Sequence, residues 1–267
     1  GGYGSLNIAK PKGTKRAPKA LQKEFNRQSI FIADNCVSSW QNIYWKNIPS
    51  GFYVQNSIYG WNEMDESISQ KVFDDYQDFL MNQTRQRNIL FLGGSHSITA
   101  STYAAIAQMN NRKRTGLILL DAHPDCCHKA NWPIHSDWLR CLVARNEVSP
   151  ENILIIGLRQ VEKEEKEFLE RSGINYFSID FIRRNIHDFN SFMYNLSIFR
   201  VLEKLRELNA VYLSIDIDVV SGVFAPGTGC PSPGGFTDTE IISLVKQFKI
   251  ALPNLRAADI VEINPLN

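Results

Sequence analysis

The chain is predicted to fold as a three-layer α/β/α domain on a mostly parallel central sheet. Three features of its sequence predict this. Short apolar runs recur from residue 88 onward, stretches of helical spacing separate them, and several runs stop abruptly at polar residues able to hold a ligand. A strand that is apolar on both faces needs cover on both faces, which suits a parallel sheet between helix layers. Strands alternating with helices form right-handed βαβ units.

The elements follow in order. Residues 1 to 28 are polar, and Gly13–Leu21 reads as a loop feeding a helix start. Residues 36–62 carry Trp40, Trp45 and Trp61 among Asn, Ser and Gly, and read as aromatic loops. Strands are predicted at 88–92, 116–120, 152–156, 174–179, 210–215 and 257–263. Helices are predicted at 70–84, 97–109, 136–146, 161–172, 190–207 and 237–250. Residues 1–267 therefore read as one domain.

Composition excludes some functions. The 267 residues carry 29 Lys plus Arg against 28 Asp plus Glu, a net charge of +1. Bulk nucleic-acid binding needs a basic surface, which this balance does not supply. No apolar run approaches the roughly 18 residues of a membrane span. Lys10, Lys12, Lys15 and Arg16 have no apolar stretch behind them, so no secretory signal is read. The five cysteines (Cys36, Cys126, Cys127, Cys141 and Cys230) are irregularly spaced with no CxxC pair, so a reducing, cytoplasmic setting is expected.

Ligands of open α/β sheets bind at the carboxyl ends of the strands. NILFL is followed by Gly93-Gly94-Ser95-His96-Ser97, and GLILL by Asp121-Ala122-His123-Pro124-Asp125. AVYLSI is followed by Asp216-Ile217-Asp218, and the last strand carries Glu262 near its end. Three of the five histidines, His96, His123 and His135, fall at these ends or just beyond. Each motif alone is a common turn; three at three strand ends point to a site. Four gathered carboxylates repel one another, and two divalent cations would relieve the repulsion. Two imidazoles with four carboxylates form a hard, oxygen-rich set that suits Mn²⁺.

These motifs resemble those of the ureohydrolase (arginase/agmatinase) family. Residues 93–97 resemble its GGDHS box, and residues 121–125 match DAHxD. Residues 214–235 resemble its SxDxD…APGTGxPxPGG signature, and residues 259–265 are similar to its closing box. Gly13–Leu21 resembles its N-terminal GxRxxPxxI stretch more weakly. The resemblance implies two Mn²⁺, with Ni²⁺, Co²⁺ or Zn²⁺ as possible substitutes. His96 and Asp125 would bind one ion, His123 and Asp218 the other, and Asp121 and Asp216 would bridge them. The ions would generate the nucleophile from water, Glu262 would bind the substrate guanidinium, and His135 would carry a proton to the leaving amine. The catalytic residues implied are thus His135, Asp218 and Glu262. The partner implied is a small guanidino or amidine substrate, and the assembly a homo-oligomer, trimer or hexamer. The family's terminal helix is expected to lie beyond Asn267.

The chain departs from the family pattern in places. Ser95 stands where Asp is usual, so altered tuning of His96 is expected. Ser221-Gly222 replaces Asp-Pro after Asp218, which should change a turn and remove a loop-fixing contact. Cys127 stands where arginases carry a substrate-recognising Asn. Cys126, Cys127 and His128 read as packing, with extra soft ligands as the alternative. Trp132 and Trp138 read equally as pocket lining or packing. Arg112–Arg114 and Arg183-Arg184 read as surface loops, and Glu162–Glu167 as a solvated helix face. The expected activity is agmatinase-type, cleaving agmatine to putrescine and urea. Formimidoylglutamase, arginase and a degenerate non-catalytic member are the alternatives.

Overall fold

In a computed structural model of the protein, the described residues are 89–127, 133, 135–186 and 189–265, with residues 16, 17, 19–21, 23, 78 and 81. The predicted aromatic loops at 36–62, and most of the predicted helix at 70–84, lie outside them. The strands are β1 (Ile89–Leu92), β2 (Thr115–Leu120), β3 (Ile153–Leu158), β4 (Asn175–Ser178), β5 (Ala210–Asp216) and β6 (Leu255–Val261). They form one sheet in the order β1-β6-β5-β2-β3-β4, with every neighbouring pair parallel. All six predicted strands are present, each shifted by one or two residues at its ends.

Both faces of the sheet are apolar. Successive strand residues point to opposite faces, and in β2 Leu117 and Leu119 join one core cluster while Ile118 and Leu120 join the other. Helices α1 (Ile98–Asn110), α2 (Trp138–Ala144) and α3 (Lys163–Ser172) cover the first face. Helices α4 (Ile179–Asn185), α5 (Leu196–Arg206) and α6 (Asp238–Ala251) cover the second. The buried stripes have helical spacing: Ile198, Leu202 and Leu205 in α5; Ile241, Leu244 and Phe248 in α6.

Local capping explains the departures from the predicted boundaries. The single helix expected at 190–207 is a 3₁₀ turn, Phe189–Tyr194, followed by α5. Asn195 divides them because its side chain accepts from the N–H groups of Ser197 and Ile198. Ser178 likewise ends β4 and caps α4, a helix absent from the sequence reading. Arg183 is therefore helical, not in a loop, and its guanidinium clamps both carboxylate oxygens of Glu240 on α6. The acidic run 162–167 is only partly solvated, since Glu165 is buried and completes a capping box with Glu162.

The strand order creates the crevice. The chain leaves β2 toward β3 on one side, and leaves β5 toward β6 on the other. The helices that follow them, α2 and α6, lie in opposite layers. Such a switch point opens a cleft outside the carboxyl ends of the two central strands. Here those strands end at Leu120 and Asp216.

Gly157 supports that cleft. It lies in β3 at a register shift, with φ +107°. An added Cβ would lie 2.6 Å from Val219 Cγ2 and 3.1 Å from the Asp121 carbonyl oxygen. Gly157→Ala is expected to destabilise the fold by more than about 1 kcal/mol, read from the urea midpoint. An unchanged midpoint would show that Val219 and the strand yield freely.

Candidate metal centre

The predicted ligands converge outside β2 and β5. His96 Nδ1 lies 3.2 Å from Asp121 Oδ2, 2.9 Å from Asp125 Oδ2 and 3.1 Å from Asp216 Oδ2. His123 Nδ1 lies 3.0 Å from Asp218 Oδ2 and 3.7 Å from Asp121 Oδ1. Two groups emerge, in each of which the ligand atoms lie within 4.8 Å of one another: His96, Asp121 and Asp125, and Asp121, His123 and Asp218. Asp121 belongs to both, and Asp216 adjoins the first.

Backbone N–H groups orient the carboxylates. Asp121 Oδ1 accepts from His123 N, Asp216 Oδ1 from Asp218 N, and Asp218 Oδ1 from Ala122 N, at 2.7, 2.9 and 3.2 Å. Each of these residues thereby turns its Oδ2 toward an imidazole. The turns after β2 and β5 supply these donors, so two short motifs orient three acids. Asp125 is held differently: the indole Nε1 of fully buried Trp138 donates to its Oδ2 at 2.7 Å. The Trp138 ring also lies 4.9 Å from the His96 ring, centroid to centroid. Trp138 thus both packs and supports the site, while Trp132 and His128 lie outside the described residues.

The imidazoles present lone pairs to this cluster. His96 Nε2 lies 3.0 Å from Ser214 Oγ, and Ser214 Oγ lies 2.7 Å from Asp259 Oδ1. A carboxylate can only accept, so Ser214 donates to Asp259 and accepts from His96 Nε2–H. His123 Nε2 donates to the Gln160 side-chain oxygen. In each neutral ring Nδ1 is then unprotonated and faces carboxylate oxygens. His96 Nδ1 and Asp121 Oδ2 are buried without a hydrogen-bond partner. Only positive charge between such atoms makes the arrangement stable, and the donor set fits hard divalent cations.

The electrostatics agree. Burial, then the charge of Asp121, pushes Asp125 up to about 7. Burial, then Asp218 and Asp121, raises Asp216 well above the carboxylate range. Burial, then Asp121, raises Asp218. His96 and His123 are raised too: burial opposes their charge, but the hydrogen bonds that the protonated rings donate to the carboxylates outweigh it. Asp121 goes the other way, to about 2: burial opposes this, but hydrogen bonds from His123 and His96 outweigh it. Without a cation the imidazoles and the other three carboxylates gather protons.

Glu262 borders the centre. Glu262 Oε1 accepts from His96 N at 2.7 Å, and Glu262 N donates to Gly94 O at 2.7 Å. Glu262 and Asp125 both have positive φ, +57° and +48°. Such strained backbone in non-glycine residues gathers at functional sites. His135 is half-buried at the turn into α2, and the next carbonyl, Ser136 O, accepts from Cys127 N at 3.2 Å.

The departures from the family pattern sit in defined surroundings. Ser221-Gly222 stands in a hydrogen-bonded turn, where Ser221 N donates to Phe236 O and Gly222 N to Ser232 O, at 2.8 and 3.0 Å. Arg159 also fixes this loop, donating to the carbonyls of Asp218, Val219 and Ser232. Cys126 is fully buried in the core, as the packing reading expects. Burial, then Glu165 and Glu162, holds the Cys127 thiol up at about 12, and Cys127 Sγ points to Glu162 Oε2 at 3.6 Å. Ser95 Oγ lies 2.9 Å from Ser97 Oγ, while His96 rests on Ser214.

The sequence reading missed Trp138 as a support, and Arg159, Gln160, Ser214 and Asp259 as site-building residues. Arg159 and Gln160 follow the apolar run of β3, the strand end left unread. Asp259 and Ser214 are buried polar residues inside mostly apolar strands.

The sequence model of the arginase family matches residues 5–267. An arginase of Staphylococcus aureus strain MRSA252 is 30% identical over 234 residues, 79% of this chain and 70% of that protein. The structure of formimidoylglutamase from Bacillus subtilis matches with a TM-score of 0.65 at 25% identity, covering 76% of this chain and 62% of that one. A hypothetical agmatinase from Burkholderia thailandensis matches with a TM-score of 0.60 at 25% identity, covering 78% of this chain and 60% of that one. The chain thus spans about three fifths of these two proteins.

A cation bound here displaces protons. In the cation-free fold, raised carboxylates such as Asp125, at about 7, keep protons that the unfolded chain has released. Their contribution is present at acid pH and is lost as pH rises through about 7. Stabilisation by added Mn²⁺ is therefore expected to grow from about pH 5 to about pH 8, read as the rise in Tm at fixed free Mn²⁺. Equal Tm shifts at both ends would mean that no protons are displaced.

Proposed function

The chain belongs to the arginase family, and from that premise we propose that it hydrolyses agmatine to putrescine and urea at a two-cation centre. The observation that carries this reading is that Asp121 belongs to both ligand groups. Two cations sharing a carboxylate sit close enough to act on one substrate atom.

The residues divide the work. His96 and Asp125 would hold one cation, His123 and Asp218 the other, and Asp121 and Asp216 would bridge. When bound, the cations supply Lewis acidity and lower the pKa of water to near neutrality; Mn²⁺ suits this oxygen-rich set. Glu262, anchored by His96 N–H, would accept paired hydrogen bonds from the guanidinium and orient its carbon. His135 would deliver a proton to the amine nitrogen as the carbon–nitrogen bond breaks. One water is consumed; a carbon–oxygen bond forms, and urea and a protonated amine leave.

Position 127 directs the choice of substrate. Arginine carries a carboxylate beside its amine, and agmatine does not. Cys127 offers no amide, and its thiol points at the carboxylate of Glu162. A negative side chain there disfavours a substrate carboxylate. Arginine is the second reading, favoured by the relative named arginase. The proposal extends to a homo-oligomer, on the family resemblance, and to a reducing, cytoplasmic setting. No disulfide is formed by Cys126, Cys127, Cys141 or Cys230 among the described residues, and no helix among them is long and apolar enough to cross a membrane.

Urea release is measured with Mn²⁺ from agmatine, arginine and guanidinobutyrate. Agmatine is expected to give the highest kcat/KM, and Asp218→Asn to abolish urea production. Faster release from arginine would move the assignment to arginase. Formamide from formimidoylglutamate without urea from any guanidino compound would move it to amidine hydrolysis. An active Asp218→Asn variant would overturn the mechanism.

A further inference from the structure

Behind His96 lies a polar pocket sealed from water. Ser214 and Asp259 are paired across β5 and β6, so their side chains share a face. That face packs against α1, which begins two residues after His96. His96, Thr99, Tyr212, Ser214 and Asp259 all have no exposed surface. Buried polar groups survive in such a place only when hydrogen-bonded.

The donors and acceptors of this pocket have one consistent order. Thr99 Oγ1 and Tyr212 OH each lie 2.8 Å from Asp259 Oδ2, and Ser214 Oγ lies 2.7 Å from Oδ1. Hydroxyl donors thus surround a carboxylate that has nothing to donate. Ser214 has one hydrogen, and Asp259 takes it. The remaining lone pairs of Ser214 face His96 Nε2, 3.0 Å away.

We propose that Ser214 is a positioning residue for His96, and that Asp259 keeps it in that role by fixing the direction of its hydroxyl. The pair acts as a one-way relay. Asp259 orients Ser214, and Ser214 accepts from Nε2–H; Thr99 Oγ1, 3.4 Å from Ser214 Oγ, gives its one hydrogen to Asp259 at 2.8 Å. The ring is thereby locked in the tautomer and rotation that aim Nδ1 at Asp121, Asp125 and Asp216. Partners of this kind, behind a ligand imidazole, typically contribute 10–100-fold to metal affinity. The inference rests on the two-cation reading above. It adds that one of the two positions depends on Ser214 and the other does not, because His123 is supported separately by Gln160.

The test is Mn²⁺ titration of the full chain after chelation, following free Mn²⁺ by electron paramagnetic resonance. Wild type is expected to take up two equivalents. Ser214→Ala is expected to bind one of them about 10–100-fold more weakly and the other unchanged. Ser214→Cys keeps the shape with a poorer acceptor and is expected to fall between, which covers the case in which the alanine variant does not fold. Tyr212→Phe also removes a hydroxyl from Asp259 but does not touch His96, and it is expected to bind as wild type does. Equal losses in the Ser214 and Tyr212 variants, losses in both equivalents, or no loss in either Ser214 variant would overturn the relay. A wild type that binds fewer than two equivalents would instead overturn the two-cation reading.

Discussion

Uncompensated negative charge is the constraint on which this structure turns. Asp121, Asp125, Asp216 and Asp218 meet at one sheet edge, nearly closed off from water, with their oxygens aimed at imidazole lone pairs. Such an arrangement persists only if something positive occupies its middle. Much of the surrounding architecture can be understood as holding it together: backbone N–H groups grip the outer carboxylate oxygens, Trp138 holds Asp125, and Arg159 ties down the loop that carries Asp218.

The fold was legible because the signals of a covered parallel sheet are strong. TGLILL and ILIIGL are buried along their whole length, and unbroken apolarity of that kind has few other uses. Boundaries were less legible, because single side chains decide them. Ser178 and Asn195 each accept backbone hydrogen bonds that start a helix, and neither stands out in sequence from an ordinary polar residue. The last strand ends at Val261, ahead of Glu262, because Glu262 leaves the extended conformation.

The inner ring of the site was legible for a different reason. Its residues cluster within a few positions of each strand end, so spacing alone brings them together. The supporting ring is scattered. Ser214 meets His96 from 118 residues away in the chain, and Gln160 meets His123 from 37. No local pattern encodes such encounters. They come from strand order and register, and the sole hint was a polar residue where an apolar one would pack. Asp259 is the clearest case: a carboxylate in mid-strand that makes sense only once its hydroxyl neighbours are known.

The strand order has a consequence for how the molecule is made. Among the described strands, β6, the last in sequence, lies between β1, the first, and β5. His96 follows β1, whereas Asp216 ends β5, so the gap between them is bridged by a strand that is synthesised after both. Pairing of Ile89 with Ala257 is among the most distant contacts in the sheet, and contacts of such separation form slowly. A nascent chain can therefore carry all four aspartates and both histidines before it has a place to put them together. Insertion of β6 and assembly of the centre thus become one event, because His96 and Asp216 are brought together across that strand.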